Sequence, residues 1–193
     1  MKNELTIHSP EQALQKLIHG NDLYLNNGRN DADISTKRRE DTYKDGQKPY
    51  AVIVTCSDSR VPPEHIFSAG IGDLFVVRTG GNVVDKFALG SIEFAVKHLG
   101  ARIVVIMGHD QCGAVSSAMA GHIEGHITCV VEEIQSGIKG AKDAAEAEIL
   151  NIAHSYRKVM ESAIVSELVE SNKIAVVQAK YTLQTGKADL LKK

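Results

Sequence analysis

Apolar residues along this chain recur in two rhythms. Short continuous blocks, at residues 51–55 (AVIVT), 74–78 (LFVVR), 103–107 (IVVIM) and 174–181, are rich in β-branched side chains and bounded by Gly, Pro, Asn or Asp. Such blocks read as strands buried on both faces. Elsewhere the apolar positions return every three or four residues: Ala13, Leu14, Leu17 and Ile18; then Phe87, Leu89, Ile92, Ala95, Val96 and Leu99; then Ile149, Ile152, Tyr156, Val159, Ala163 and Ile164. These are helix stripes. Strands alternating with helices predict an α/β fold, a mostly parallel β-sheet flanked by helices.

Local signals refine the boundaries. Ser9-Pro10-Glu11-Gln12 has the composition of a capping box with Pro at the first helical position. Gly20 and Asn21 predict a break before Leu23-Tyr24-Leu25, and the polar stretch 26–48 carries Lys37-Arg38-Arg39-Glu40-Asp41, which reads as a solvated helix face. Val61-Pro62-Pro63-Glu64 starts a short helix, Gly70-Ile71-Gly72-Asp73 is a turn, and Thr79-Gly80-Gly81-Asn82 permits close backbone approach or positive φ. Four glycines break residues 121–140, which suits a mobile cover, although the apolar block 127–134 favours a short helix. Residues 142–170 predict one long helix. After Asn172 and the final long strand, Gln184-Thr185-Gly186-Lys187 reads as a hairpin turn to a last short strand.

Composition narrows the classes. At 193 residues, one domain is the default. A net charge of -2 with 24% charged residues lacks the basic excess of nucleic-acid binders. No apolar stretch reaches the ~20 residues of a membrane span or has the form of a secretion signal, so no membrane partner and a cytoplasmic location are expected. Three cysteines do not make a disulfide framework. Cys129, away from the other two, is expected to be a small core residue.

The remaining cysteines lie in CSDSR (56–60) and GHDQCG (108–113), each just after a predicted parallel strand. Ligands of open α/β sheets sit outside the carboxyl ends of strands, where both segments fall. Together they offer Cys56, Asp58, His109 and Cys112 to one Zn2+, which takes thiolate, imidazole and carboxylate in tetrahedral geometry. Cys56, His109 and Cys112 are the expected permanent ligands, with a helix N-terminus favouring thiolate at Cys112. Arg60 can hold the Asp58 carboxylate in a bidentate pair and leave the metal open; Asp58 released onto the metal closes it as a fourth ligand. The plain alternative for the pair is a turn salt bridge worth under about 1 kcal/mol. Neither cysteine begins a C-x5-R phosphate loop, since Pro62 and Ala118 stand at the required positions, and no nucleotide-binding glycine loop is present. His122 and His126 lack a nearby ligand cluster for a second metal.

CSDSRVPPEHIF, GDLFVVRTGGN, GSIEFAVKHLGARIVVIMGH and HDQCGAV resemble the β-class carbonic anhydrases, and the similarity runs from PEQALQKLIHGN to LQTGKADL. The resemblance implies a carbonate dehydratase, a zinc lyase that interconverts CO2 and bicarbonate through zinc-bound hydroxide. It implies an antiparallel edge strand on the sheet, and one domain over 1–193 with a helical dimerisation arm (1–48) and an α/β core (49–193). A homodimer or dimer of dimers is implied, in which N-terminal helices wrap the partner. Carried over by position, the zinc ligands are Cys56, His109 and Cys112, the catalytic dyad is Asp58 and Arg60, and Gln47, Phe75, Phe94 and Gly113 line the substrate pocket. Gln47 is expected to serve the neighbouring subunit's zinc. Phe94 stands where many members have tyrosine. The family's inhibitory bicarbonate site is expected to be absent or altered, since the chain has no Trp and Ile53 takes the matching position although Arg78 is present. Carbonyl sulfide or carbon disulfide hydrolysis on the same fold, and a non-catalytic zinc protein, are the other readings.

Overall fold

The computed structural model describes residues 7–191; residues 1–6 and 192–193, the outer ends of the expected arm and core, lie outside the described residues. The apolar blocks become strands β1 (Ala51–Cys56), β2 (Leu74–Thr79), β3 (Ile103–His109) and β4 (Ala175–Thr182), and the hairpin supplies β5 (Lys187–Leu190). They form one sheet in the order β2-β1-β3-β4-β5. Every residue of β1 and β3 is buried, as continuous apolar runs require at the centre of a parallel sheet. β1 lies parallel to both β2 and β3, and β4 parallel to β3, while β5 returns antiparallel along the edge. The expected antiparallel edge strand is therefore present.

The helices are α1 (Pro10–Asn27), α2 (Thr36–Asp45), α3 (Pro63–Ile66), α4 (Lys86–His98), α5 (Gly113–Ala120), α6 (Ile127–Gly137), α7 (Ala144–Met160) and α8 (Ala163–Glu170). Side chains alternate across each strand, so Val52, Val54, Val104 and Ile106 meet Ile92 of α4, Ile152 of α7 and Val165 of α8. On the opposite face Ala51, Ile53, Ile103, Val105 and Met107 meet Ala13 and Leu17 of α1 and Ile66 of α3. Each fully buried Ile or Val contributes roughly 1.5–3 kcal/mol, so these two layers hold the strand ends in place. A third cluster joins Cys56 and Cys112 to Val115, Val131, Ile134 and Ala147.

Three local expectations are corrected. Ser9 caps α1 with the expected box, but the helix runs unbroken through Gly20 and Asn21 to a left-handed Gly28. Gly20 is there for contact rather than for a break: a Cβ would lie 2.0 Å from the Phe67 carbonyl oxygen. Asn21 donates to the carbonyls of Ile66 and Gly186, each at 3.0 Å, and accepts from the Ala188 N–H. The long helix over 142–170 is two helices, because Ser162 accepts the Val165 N–H at 3.2 Å as the cap of α8 and donates to Glu93 at 2.6 Å.

Cys129 is exposed instead of buried. α6 turns Val131 and Ile134 inward, and a position two residues from Val131 lies about 200° round the helix, on the outer side. These inward side chains make the stretch 127–137 a packed helix, as the apolar block 127–134 favoured. The charged run of α2 faces solvent except at Arg38, which donates to the Ile71 carbonyl at 2.9 Å and pairs with Asp73 at 3.0 Å.

Candidate metal centre

Parallel register brings the carboxyl ends of β1 and β3 side by side, with Thr55 opposite Met107 and its hydroxyl bound to the Met107 carbonyl at 2.7 Å. Cys56 ends β1 and His109 ends β3. After His109 the chain reverses through Gln111, whose φ is +52°, and Cys112 becomes the cap residue of α5. The Sγ atoms of Cys56 and Cys112 and a ring nitrogen of His109 all lie within 4.8 Å of one another, and all three residues are buried.

The donors fit a thiophilic, tetrahedral ion such as zinc. His109 Nδ1 lies 2.8 Å from the Asp110 carbonyl, a contact that places the ring proton on Nδ1 and leaves the Nε2 lone pair free. Nε2 is buried without a hydrogen-bond partner. Such an orphan costs stability unless something accepts its lone pair, and an ion between the two sulfurs would do so.

Two backbone donors face Cys56 Sγ: the N–H of Asp58 at 3.4 Å and of Gly81 at 3.3 Å. Gly81 has φ +61°, and a Cβ there would lie 2.6 Å from Ile134 Cδ1, so the close approach foreseen for Thr79-Gly80-Gly81-Asn82 is used to aim an N–H at sulfur. Donation from Cys112, with help from His109 and those N–H groups, pulls the Cys56 thiol down against its burial. The same hydrogen bond and burial push Cys112 up, more than the α5 N–H groups lower it.

Asp58 lies beside the three donors. Its carboxylate accepts from Arg60 Nε at 2.9 Å and Nη2 at 2.6 Å, and its Oδ2 is 3.9 Å from His109 Nε2. The Arg60 guanidinium holds the Asp58 carboxyl well below the usual carboxylate range. Arg60 also reaches the Gln111 carbonyl at 3.3 Å, linking the two turns.

Arg78 has a partner set that spacing did not reveal. It donates to the carbonyls of Cys56 at 3.0 Å and Asp58 at 2.6 Å and so braces the turn between them. The only outward sign was a charge inside an apolar strand block.

The four pocket residues are dispersed within one chain. Gly113 follows Cys112 directly, and a Cβ there would meet no atom within 4 Å. Phe94 is half exposed on α4, 5.4 Å from the His98 ring. Phe75 pairs with Val52 in the amino-terminal half of β2 and packs on the core. Gln47 is exposed, ahead of the first residue of β1, whereas Cys56 of the triad closes the carboxyl end of that strand.

The family model described as "Carbonic anhydrase" matches residues 51–188. Carbonic anhydrase 2 of Mycobacterium tuberculosis is 41% identical over 156 residues, covering 75% of this chain and 75% of that protein. Two solved structures share the fold. The Coccomyxa β-carbonic anhydrase in complex with acetazolamide is 26% identical, with a TM-score of 0.70 over 81% of this chain and 79% of the other. The β-carbonic anhydrase CafA of Aspergillus fumigatus is 26% identical, with a TM-score of 0.71 over 82% and 83%. A match that runs from the start of β1 into β5, a relative of that identity and the same architecture lead to one conclusion: this chain belongs to the carbonic anhydrase family, in its β class.

Proposed function

We propose that the protein catalyses the reversible hydration of CO2 to bicarbonate and a proton at a zinc ion held by Cys56, His109 and Cys112. The observation that carries this reading is the convergence of those three donors, with the buried His109 Nε2 lacking any other partner. When bound, zinc supplies Lewis acidity that lowers the pKa of water and so provides a nucleophile near neutral pH. Two thiolates offset the charge of the ion. The matched relatives are carbonic anhydrases, which favours CO2 over carbonyl sulfide and carbon disulfide and favours turnover over a purely structural metal.

Asp58, kept ionised and oriented by Arg60, accepts a hydrogen bond from the attacking water and points its lone pair toward carbon. With Asp58 held by Arg60, a zinc ion would be held by Cys56, His109 and Cys112 alone, and release of Asp58 would let its carboxylate serve as a fourth ligand and close the site. Gly113 leaves room beside the triad for a small apolar molecule. Phe75 and Phe94 supply apolar walls, which suit a substrate without a dipole. Gln47 donates to substrate from the neighbouring subunit.

The placement of Gln47 supports a homodimer, or a dimer of dimers, as do the exposed Phe87 and Phe94 of α4 and the half-exposed Ile18, Leu23 and Leu25 of α1. We assign residues 1–48 to dimerisation and 49–193 to the α/β core of a single domain, with part of α1 also packing on its own sheet. No helix among the described residues is long and apolar enough to cross a membrane. Three free thiols, two of them ligands, suit the reducing cytoplasm.

Metal analysis and stopped-flow CO2 hydration on one purified sample test the reading. One zinc per chain and turnover are expected, with both lost in Cys56→Ser, His109→Ala and Cys112→Ser. A chain without zinc, or full turnover in any of the three variants, overturns it.

A further inference from the structure

α7 carries a buried polar stripe that the proposed mechanism does not use. Glu148, Asn151 and Ser155 follow i, i+3, i+7 spacing, so they share one face, and they are 6%, 1% and 1% exposed. Apolar residues are the ordinary choice on a buried helix face, because each buried polar group must find a partner. Here each of the three has a partner in the turns around the metal centre. Asn151 Nδ2 donates to the Gly81 carbonyl at 2.7 Å, and the Gly81 N–H points at Cys56 Sγ. Ser155 Oγ donates to the Asn82 carbonyl at 2.9 Å and accepts from Asn82 Nδ2 at 3.3 Å. Glu148 Oε1 lies 3.5 Å from the Cys112 N–H, and its other oxygen pairs with Lys180 of β4 at 2.7 Å. Asn151 also leaves its Oδ1 buried and unpartnered, a cost that an apolar residue of similar size would not bear.

Resting on the zinc reading above, we propose that this stripe is the positioning layer of the metal centre, in which Asn151 fixes the donor that Gly81 presents to the Cys56 sulfur. Gly81 has a left-handed φ of +61°, and its N–H and carbonyl lie in the two peptides that flank its Cα, so the Asn151 bond to the carbonyl restrains the rotation of the residue that presents the N–H to sulfur. An N–H donated to a ligating sulfur withdraws charge from it and tunes both metal affinity and electronic structure. Asn151 touches neither metal nor substrate; it acts through Gly81, and Ser155 does the same for the next residue of the turn.

The experiment compares wild type with Asn151→Ala, Asn151→Asp and, as a packing control on the same helix, Val159→Ala. Zinc affinity is read by competition with a metal-binding dye. The thiolate-to-metal charge-transfer band is read in cobalt-substituted protein. Both Asn151 variants should bind zinc about 10–100-fold more weakly, and their band should move to longer wavelength, as a sulfur with fewer donors gives up an electron more easily. Val159→Ala should lower stability and leave both readings in place. Affinity within about twofold of wild type with an unmoved band in the Asn151 variants, or an equal change in Val159→Ala, overturns the proposal. If neither Asn151 variant folds, Ser155→Ala should move the band in the same direction by less, and an unmoved band there overturns it. A wild-type protein that takes up no cobalt, or a band that survives replacement of both Cys56 and Cys112 by serine, instead removes the zinc reading itself.

Discussion

The carboxylate of Asp58 and the guanidinium of Arg60 face each other across two parallel hydrogen bonds, with Asp58 Oδ2 held 3.9 Å from His109 Nε2. A surface pair of this kind contributes under about 1 kcal/mol to stability, so its importance lies in where it holds the carboxylate. Asp58→Ala should retain a full complement of zinc and lose about 100-fold or more in turnover, the usual scale for a lost proton acceptor. Undiminished CO2 hydration, or loss of zinc in that variant, would remove Asp58 from its assigned role.

Gln47 precedes the amino-terminal end of β1 whereas Cys56 closes its carboxyl end, a separation that fits the proposed pocket between two chains. Mixed oligomers test this directly. Gln47→Ala and Cys56→Ser chains should each turn over CO2 slowly as homo-oligomers. Co-assembled, they should regain activity, because the Cys56→Ser chain lends its intact Gln47 to the partner's zinc. Mixtures no faster than the average of the two homo-oligomers would show that Gln47 serves no neighbouring site.

Gly20→Ala opposes two effects of known size. Helix propensity alone favours alanine by about 1 kcal/mol. The added Cβ, however, would sit 2.0 Å from the Phe67 carbonyl oxygen, a backbone atom that can move only with α3. Overpacking of this kind costs about 1–3 kcal/mol and should win. Urea unfolding at one fixed protein concentration should show net destabilisation, and a stabilised variant would place α1 elsewhere.

Tyr50 is 6% exposed, and burial, followed by the charge of Asp73, holds its hydroxyl protonated far above the ordinary tyrosine range. In the unfolded chain tyrosine ionises near pH ~10. Its contribution is therefore full below about pH 10 and declines as the pH rises, because the unfolded chain releases a proton that the folded chain keeps. Tyr50→Phe should flatten the alkaline decline of unfolding free energy by about 1.4 kcal/mol per pH unit. Parallel slopes for the two proteins would contradict the buried, protonated hydroxyl.

The strands and the ligand triad were legible because each depends on short-range pattern. Continuous β-branched blocks could only be central strands, and Cys56, His109 and Cys112 stood next to their ends. Ser9 and Gln12 announced a helix start in the same local way. The errors arose where a distant partner decides. Gly20 has the composition of a helix breaker, and only the Phe67 carbonyl, remote in sequence, explains it. Cys129 was assigned by residue type, whereas helix phase put it outside. Ser162 lay hidden in an unbroken apolar stripe until its hydrogen bond with Glu93 and its cap on Val165 were visible. Arg78 and Asn151 bind main-chain carbonyls, which any residue offers, so no spacing could have marked them.

The end of β1 and, more than fifty residues later, the turn from β3 into α5 meet with their donor atoms no more than 4.8 Å apart. An ion seated there fastens these segments much as a covalent cross-link would, and the free energy of its binding is added to that of folding. The temperature of unfolding should thus climb with free metal concentration by simple mass action. Scarcity of zinc would shorten the lifetime of the folded chain as well as silence it.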